Sequence, residues 1–222
     1  MAYVKILDEL NRWRSQSDMP QSTQDKPISK REQILQAALA CFVESGFTAT
    51  TIEMIRERSG ASTGSLYHHF RNKEAIASAL FIDAMADHFA ALKAALEAID
   101  REREDVAELG VKAIVQTYSQ WIELHPDLAR YAFLGRGVVA DADGKALLAE
   151  QNRSNFAYLR EVFAPWIQKG LIRQMPVNLY HAILIGPVQD YARHWLAGRV
   201  KVPLSAVSHE LAEAAWRGVA SK

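Results

Sequence analysis

Beyond Ser29 the apolar positions fall in steps of three and four, and no segment shows a clean apolar/polar alternation. Ile34, Leu35, Ala38, Leu39, Phe42 and Val43 make one helical face. Ser29, with Glu32 three residues later, forms a capping box that opens this helix, and Gly46 stops it. A second pair, Thr50 and Glu53, is read as the capping box of a short helix ending near Ser59–Gly60. Ser62 caps a third helix, Phe70 ends it, and Asn72 caps a long fourth from Lys73 towards Ile99.

After the charged run from Asp100 to Glu108 the same rhythm predicts a helix over 105–124, stopped by His125–Pro126, and a short one over 128–134. The tetrapeptide DADG at Asp141 reads as a turn before a long helix over 145–169, ended by Gly170. Pro176 suits the first turn of a helix reaching about Ala197, kinked at Gly186–Pro187, and Pro203 suits the first turn of the last, reaching Gly218. At the other end, Val4, Leu7, Leu10 and Trp13 predict a short amphipathic helix, and the polar, proline-bearing stretch 15–28 reads as a linker. The fold class expected is all-α. The organisation is an N-terminal extension and linker (1–28), a three-helix helix-turn-helix unit (29–76) and a larger helical domain (77–222).

Composition sharpens this without naming a partner. Lys plus Arg equals Asp plus Glu at 26 each, so overall charge is silent. The single cysteine, Cys41, rules out an internal disulfide framework and reads as inert packing in a reducing compartment. With no signal-peptide pattern at the N-terminus and short apolar runs, the expected location is the cytoplasm, with no membrane partner.

The chemistry concentrates in GASTGSLYHHF, Gly60 to Phe70. Two helices joined by a short glycine-bearing turn, behind a first packing helix, describe a helix-turn-helix, whose second helix enters the DNA major groove. Ser62, Thr63, Gly64 and Ser65 are small enough for close approach to a duplex. Leu66 and Phe70, four apart, face the core, which turns Tyr67, His68 and His69 outward with donors suited to phosphates and base edges. Lys73 follows where the DNA backbone would pass. Between Lys26 and Lys73 there are seven basic residues against four acidic ones, a local net +3. Adjacent histidines on a helix point about 100° apart and do not converge on a metal. The glycines lack the Lys-Ser/Thr ending and preceding strand of a nucleotide loop.

These residues resemble the TetR (tetracycline-repressor-like) family of bacterial transcriptional regulators. The resemblance runs from Ile34 to Ile76. It holds the entry to the second helix at Gly46, Phe47, Thr50 and Thr51, and then Gly60, Ser62, Gly64, Ser65, Leu66, Tyr67, His69, Phe70, Lys73 and Glu74 in order. The resemblance implies phosphate contacts from Thr51, Tyr67, His69 and Lys73, and base-edge contacts from Thr63, Gly64 and His68. Ile55-Arg56 departs from the usual Ile-Ala, which leaves Arg56 either facing solvent or touching a phosphate. The larger domain would then bind a small-molecule effector and pair two copies through the last two long helices. Small and aliphatic residues suit that pairing: Leu179, Ala182, Ile183, Gly186 and Tyr191 on one helix, Val207, Leu211, Ala214 and Ala215 on the other.

For the effector pocket, Tyr118, Trp121, Tyr131, Phe133, Asn155, Tyr158 and Trp166 are the candidates, since such pockets are aromatic with few polar groups. Plain core packing is the competing reading of every one. No cofactor, metal or catalytic constellation is expected, and Asp141 with Asp143 lacks the later ligands of a calcium loop. The expected function is a homodimeric regulator, a ligand-released repressor on a palindromic operator in double-stranded DNA. The alternative is a helical small-molecule-binding or enzymatic domain in which the helix-turn-helix is scaffold.

Overall fold

The computed structural model describes residues 28–133 and 141–221. The helix expected over 4–13, most of the linker, and the end of the short helix at Leu134 lie outside these residues. Ten helices follow: α1 (Lys30–Ala49), α2 (Ile52–Ser59), α3 (Thr63–His69), α4 (Lys73–Glu97), α5 (Val106–Leu124), α6 (Pro126–Ala132), α7 (Ala142–Gln168), α8 (Val177–Leu184), α9 (Gly186–Leu196) and α10 (Leu204–Val219). The all-α expectation holds; the described residues contain a single isolated β-bridge, Ile172 to Ala220.

The caps explain the starts. Ser29 Oγ accepts from the Glu32 N–H at 3.2 Å while Glu32 accepts from the Ser29 N–H at 2.8 Å, so the first capping box is formed as expected. Ser62 accepts from the Ser65 N–H and Asn72 from the Ala75 N–H, opening α3 and α4. Gly46 breaks α1 at φ +77°, a conformation that disfavours side chains with a Cβ, and one more turn follows before α2.

Three expectations need correction. The second cap is Thr51, whose hydroxyl accepts from the Met54 N–H at 3.2 Å, not Thr50 with Glu53. Thr50 is buried and its O–H is directed at the Gly46 and Cys41 carbonyls, while the Glu53 carboxylate is held by Arg56. DADG is not a turn ahead of the long helix: Asp141 caps α7, accepting from the Gly144 N–H. The helix after Pro176 is two helices, α8 and α9, parted at Ile185 beside the expected kink at Gly186–Pro187.

Two apolar cores result, and α4 runs through both. The first forms the helix-turn-helix head of the molecule (the reading head) from Ile34, Phe42, Ile55, Leu66 and Phe70, packed on Ile76, Ala77 and Leu80 to Ile82 of α4 and closed by Tyr131, Ala132 and Leu148. The second packs Leu92 and Leu96 of α4 against α5, α8, α9 and α10, with α10 lying along α5. Helix α4 has the length and apolar content of a membrane-crossing helix, with a mean hydropathy of 1.4 in its most apolar stretch. Its buried face instead serves these two cores, which explains why a helix joining two units is so apolar.

Candidate nucleic-acid interface and effector cleft

On the reading head, burial of Leu66 (1% exposed) and Phe70 (5%) fixes the rotation of α3. With those two inward, Ser62, Thr63, Gly64, Tyr67, His68 and His69 are exposed and Ser65 half-buried. Tyr67 is 52% exposed, although a tyrosine usually shields its ring. His68 and His69 stand edge to face, 5.1 Å apart between ring centres. A shallow hollow beside α3 joins Thr51, Tyr67 and Lys73 with Thr48, Thr50, Ile52, Arg71 and Asn72. The structure thus brings three of the four expected phosphate residues to one concavity.

Lys73 does more than was read from its position. Its ammonium donates to the Phe47 carbonyl at 2.8 Å and the Thr50 carbonyl at 2.7 Å, and sits 4.4 Å over the Phe47 ring. Two of its three N–H bonds therefore staple the turn between α1 and α2, leaving one proton to point elsewhere. The local net +3 is also weaker as a field than as a count. Arg31 pairs with Asp83, Arg56 with Glu53 and Glu57, and Arg58 with Glu44. Arg56, left open between solvent and phosphate, is held on its own helix by Glu53.

Arg71 is the residue that sequence reasoning passed over. It lines the hollow beside α3 and also bridges to Asp141 at 3.2 Å and Asp143 at 2.9 Å, the capping turn of α7. Asp141 accepts in addition from the Ser78 hydroxyl of α4, and this hydrogen bond, with Arg71 nearby, holds its carboxyl below the usual carboxylate range. The start of α7 is latched to the base of the reading head. The clue in the sequence was the basic residue directly after α3, which was counted but not placed.

The expected effector residues do not converge. Tyr131 is a joint of the reading head, its hydroxyl donating to the Ala77 carbonyl at 2.7 Å and its ring stacked on Phe42. Tyr118 and Trp121 lie in the second core around His88; Gln189 donates to the Tyr118 hydroxyl and the Trp121 indole donates to Asp87. Burial pushes His88 down to about 4, and its Nε2 has no hydrogen-bond partner. Phe133 lies under Arg193, Tyr158 sits edge-on to Phe89, and Trp166 is core beside Phe163. Asn155 is half-buried on α7.

The large cavity is elsewhere, a cleft of about 740 Å³ between α7 and α8. Its walls are Leu159, Phe163 and Ile167 of α7, Ile114 of α5, Tyr180 and Leu184 of α8, and Ile185 just after it; its rim carries Asn152, Arg153, Arg160 and His181. The candidates on α7 (Asn155, Tyr158, Trp166) miss this face. The stripe Asn152, Phe156, Leu159, Phe163 and Ile167 falls at helical spacing along α7 and was the available signal for this face.

Residues 34–80 match the sequence model of the bacterial regulatory proteins of the tetR family. The HTH-type transcriptional repressor AcnR of Corynebacterium efficiens is 26% identical over 167 residues, 75% of this chain and 81% of that protein. The repressor KstR2 of Mycolicibacterium smegmatis is 43% identical over 56 residues, 25% of this chain and 27% of its own length. Several curated relatives are matched over only 27–33% of their length. Among solved structures, the regulator FadR of Bacillus subtilis in complex with stearoyl-CoA has the same fold, with a TM-score of 0.68 at 20% identity over 84% of this chain and 97% of that one. With an exposed helix α3 on a shared fold, residues 34–80 carry the sequence of the TetR family of bacterial regulatory proteins.

Proposed function

We propose that the protein is a repressor that binds a two-fold operator as a homodimer and is released by a small molecule. The observation that carries this reading is the outward row Thr63, Tyr67, His68 and His69, which packing does not use. Thr63, Gly64 and His68 would meet base edges, while Thr51, Tyr67, His69 and the remaining proton of Lys73 would meet phosphates, with Ser62 and Ser65 allowing close approach. The boundaries 1–28, 29–76 and 77–222 serve as units of function in this reading, with α4 shared between the last two.

Pairing would use the side of α8 that carries Leu179 (45% exposed) and Ala182, together with Val207, Leu211 and Ala214 of α10. Of the residues named for that surface Ala215 turns inward and is buried, while Ile183, Gly186 and Tyr191 are half-buried, Tyr191 with its hydroxyl donating to the Val202 carbonyl. A two-fold pair would set two reading helices about one DNA turn apart, roughly 34–36 Å. The effector site in this reading is the cleft between α7 and α8, since α7 also carries the latch to Arg71. An effector can shift the equilibrium only by its difference in affinity for the two forms. The name AcnR belongs to a repressor, which favours repression over activation here. Retardation of DNA lying upstream of the protein's own gene tests the reading: a specific shift by a dimer supports it, and shifts equal to those with unrelated DNA would sink it.

A further inference from the structure

We propose that the cleft between α7 and α8 takes an amphipathic anion, an apolar chain ending in an anionic head. This rests on the reading of the cleft as the effector site and names the class of molecule that fills it. The volume suits a small-molecule site, since such pockets run from about 300 to 1,000 Å³. Ile114, Leu159, Phe163, Ile167, Leu184 and Ile185 give it walls that can bury a hydrocarbon chain but offer no hydrogen bonds.

The charge is confined to the rim and has one sign. Arg153 and Arg160 lie two turns apart on one face of α7, about 10 Å along the axis, and no Asp or Glu lines the cleft. Among the described residues Arg160 has no carboxylate partner. Among the described residues Arg153 meets only Glu150, one turn back, with side chains 69% and 65% exposed. Such an exposed pair contributes little and exchanges readily. An anionic head drawn to these guanidiniums gains ion-pair attraction on top of its hydrogen bonds, while a neutral head gains hydrogen bonds alone and a cation is repelled.

A second copy of the chain is a poorer occupant. Across a two-fold axis it would bring the same arginine-bearing rim against itself. The small-residue face of α8, with Leu179 and Ala182, also points away from the cleft side, where Val177, His181, Leu184 and Ile185 lie, because successive helical residues turn by about 100°. Pairing there leaves the cleft open, with the ligand and the partner on opposite sides of one helix.

The test is titration calorimetry on the full chain with four twelve-carbon probes kept below their micelle-forming concentrations: dodecanoate, dodecanoyl-CoA, dodecanol and dodecyltrimethylammonium. Dodecanoate and dodecanoyl-CoA separate a free carboxylate from a phosphate-bearing carrier, and binding of either supports the proposal. Dodecanol should bind at least about tenfold more weakly than the better anion, and the ammonium more weakly still. Arg153→Gln with Arg160→Gln, both at exposed positions, should remove that preference without abolishing dodecanol binding. Ala157→Trp, which fills the cleft, should abolish binding of all four probes. Equal binding of acid and alcohol, a preference for the ammonium, or binding unaffected by Ala157→Trp in a variant whose melting is unchanged overturns the proposal. DNA retardation with the same preparations keeps the two readings apart. Specific DNA binding without anion preference defeats only the ligand class; anion binding without specific DNA binding defeats only the repressor.

Discussion

Thr50 and Thr51 are neighbours with the same side chain and opposite uses. Thr50 is 1% exposed and its hydroxyl seals the end of α1 from inside, whereas Thr51 is exposed and caps α2 on the side facing the hollow. Thr50→Val should therefore lower stability by about 1–2 kcal/mol in urea unfolding, through the lost hydroxyl donor to the Cys41 and Gly46 carbonyls, of which Gly46 keeps the Thr50 backbone N–H. The parallel change Thr51→Val should cost about 0.5–2 kcal/mol through the lost cap, and it should weaken DNA as well. Lys73 combines both roles. Lys73→Ala should lower the melting temperature and also weaken binding to every DNA sequence, with a shallower salt slope. An unchanged melting temperature would show that its bonds to the Phe47 and Thr50 carbonyls are not made in solution.

His88 is the residue whose charge most clearly opposes folding. Burial holds it near 4 against an ordinary 6.5, so the unfolded chain takes up its proton first as pH falls. Stability from this group is whole above about 6.5 and is lost progressively down to about 4, by up to roughly 3 kcal/mol. His88→Gln should flatten that part of the pH–stability curve measured by denaturant unfolding. A curve unaltered by the substitution would place His88 in contact with water.

Among the elements, α7 links the cleft to the head. Its first turn is tied to Ser78 of α4 and to Arg71, and Gly144 allows the approach: a Cβ there would lie 2.7 Å from Ser78 Cβ. Gly144→Ala should push α7 off α4 and cost about 1–3 kcal/mol by overpacking, despite alanine's better helix propensity. A stability gain in thermal unfolding would mean that the two helices do not touch at this point. This latch also marks the limit of what could be read from the chain. The caps at Ser29, Ser62 and Asn72, the break at Gly46 and the inward pair Leu66 and Phe70 are local, and local rules recover them. Contacts seventy residues apart, such as Arg71 with Asp141, carry no short-range signature. The capping assignment failed at Thr50 because Thr50 has the glutamate that the pattern asks for three residues on, while Thr51 has Met54 there; only burial shows which hydroxyl is free to cap. The cleft failed for a similar reason: an aromatic on a helix looks alike whether it faces core, cavity or solvent, so Tyr131 and Trp166 were drawn in while Phe156 and Arg160 were not.

At the scale of the whole molecule, the account places reading, joining and sensing in sequence along the fold. In the proposed function the exposed row of α3 would read DNA, α4 and the α7 latch would join, and the cleft beside α8 would sense the effector. An internal ion cluster steadies the joint between α5 and α10. Lys112 donates to Glu108 at 2.5 Å and to Glu213; burial opposes its charge, but these two hydrogen bonds raise it, and the bond to Lys112 lowers Glu213. The pair Lys112 and Glu213 thus adds stability between the unfolded values of that acid and that amine, and weakens as pH falls below about 4.5 or climbs beyond about 10.5.

The central claim is that the row Thr63, Tyr67, His68 and His69 reads a DNA sequence. Selection of genomic fragments by the purified full chain, followed by sequencing of what is retained, tests it most directly. The account predicts one enriched two-fold motif with half-sites about 10 base pairs apart, altered in sequence by Thr63→Ala or His68→Ala. Retention of fragments without a shared motif, or the same motif from both variants, would contradict it.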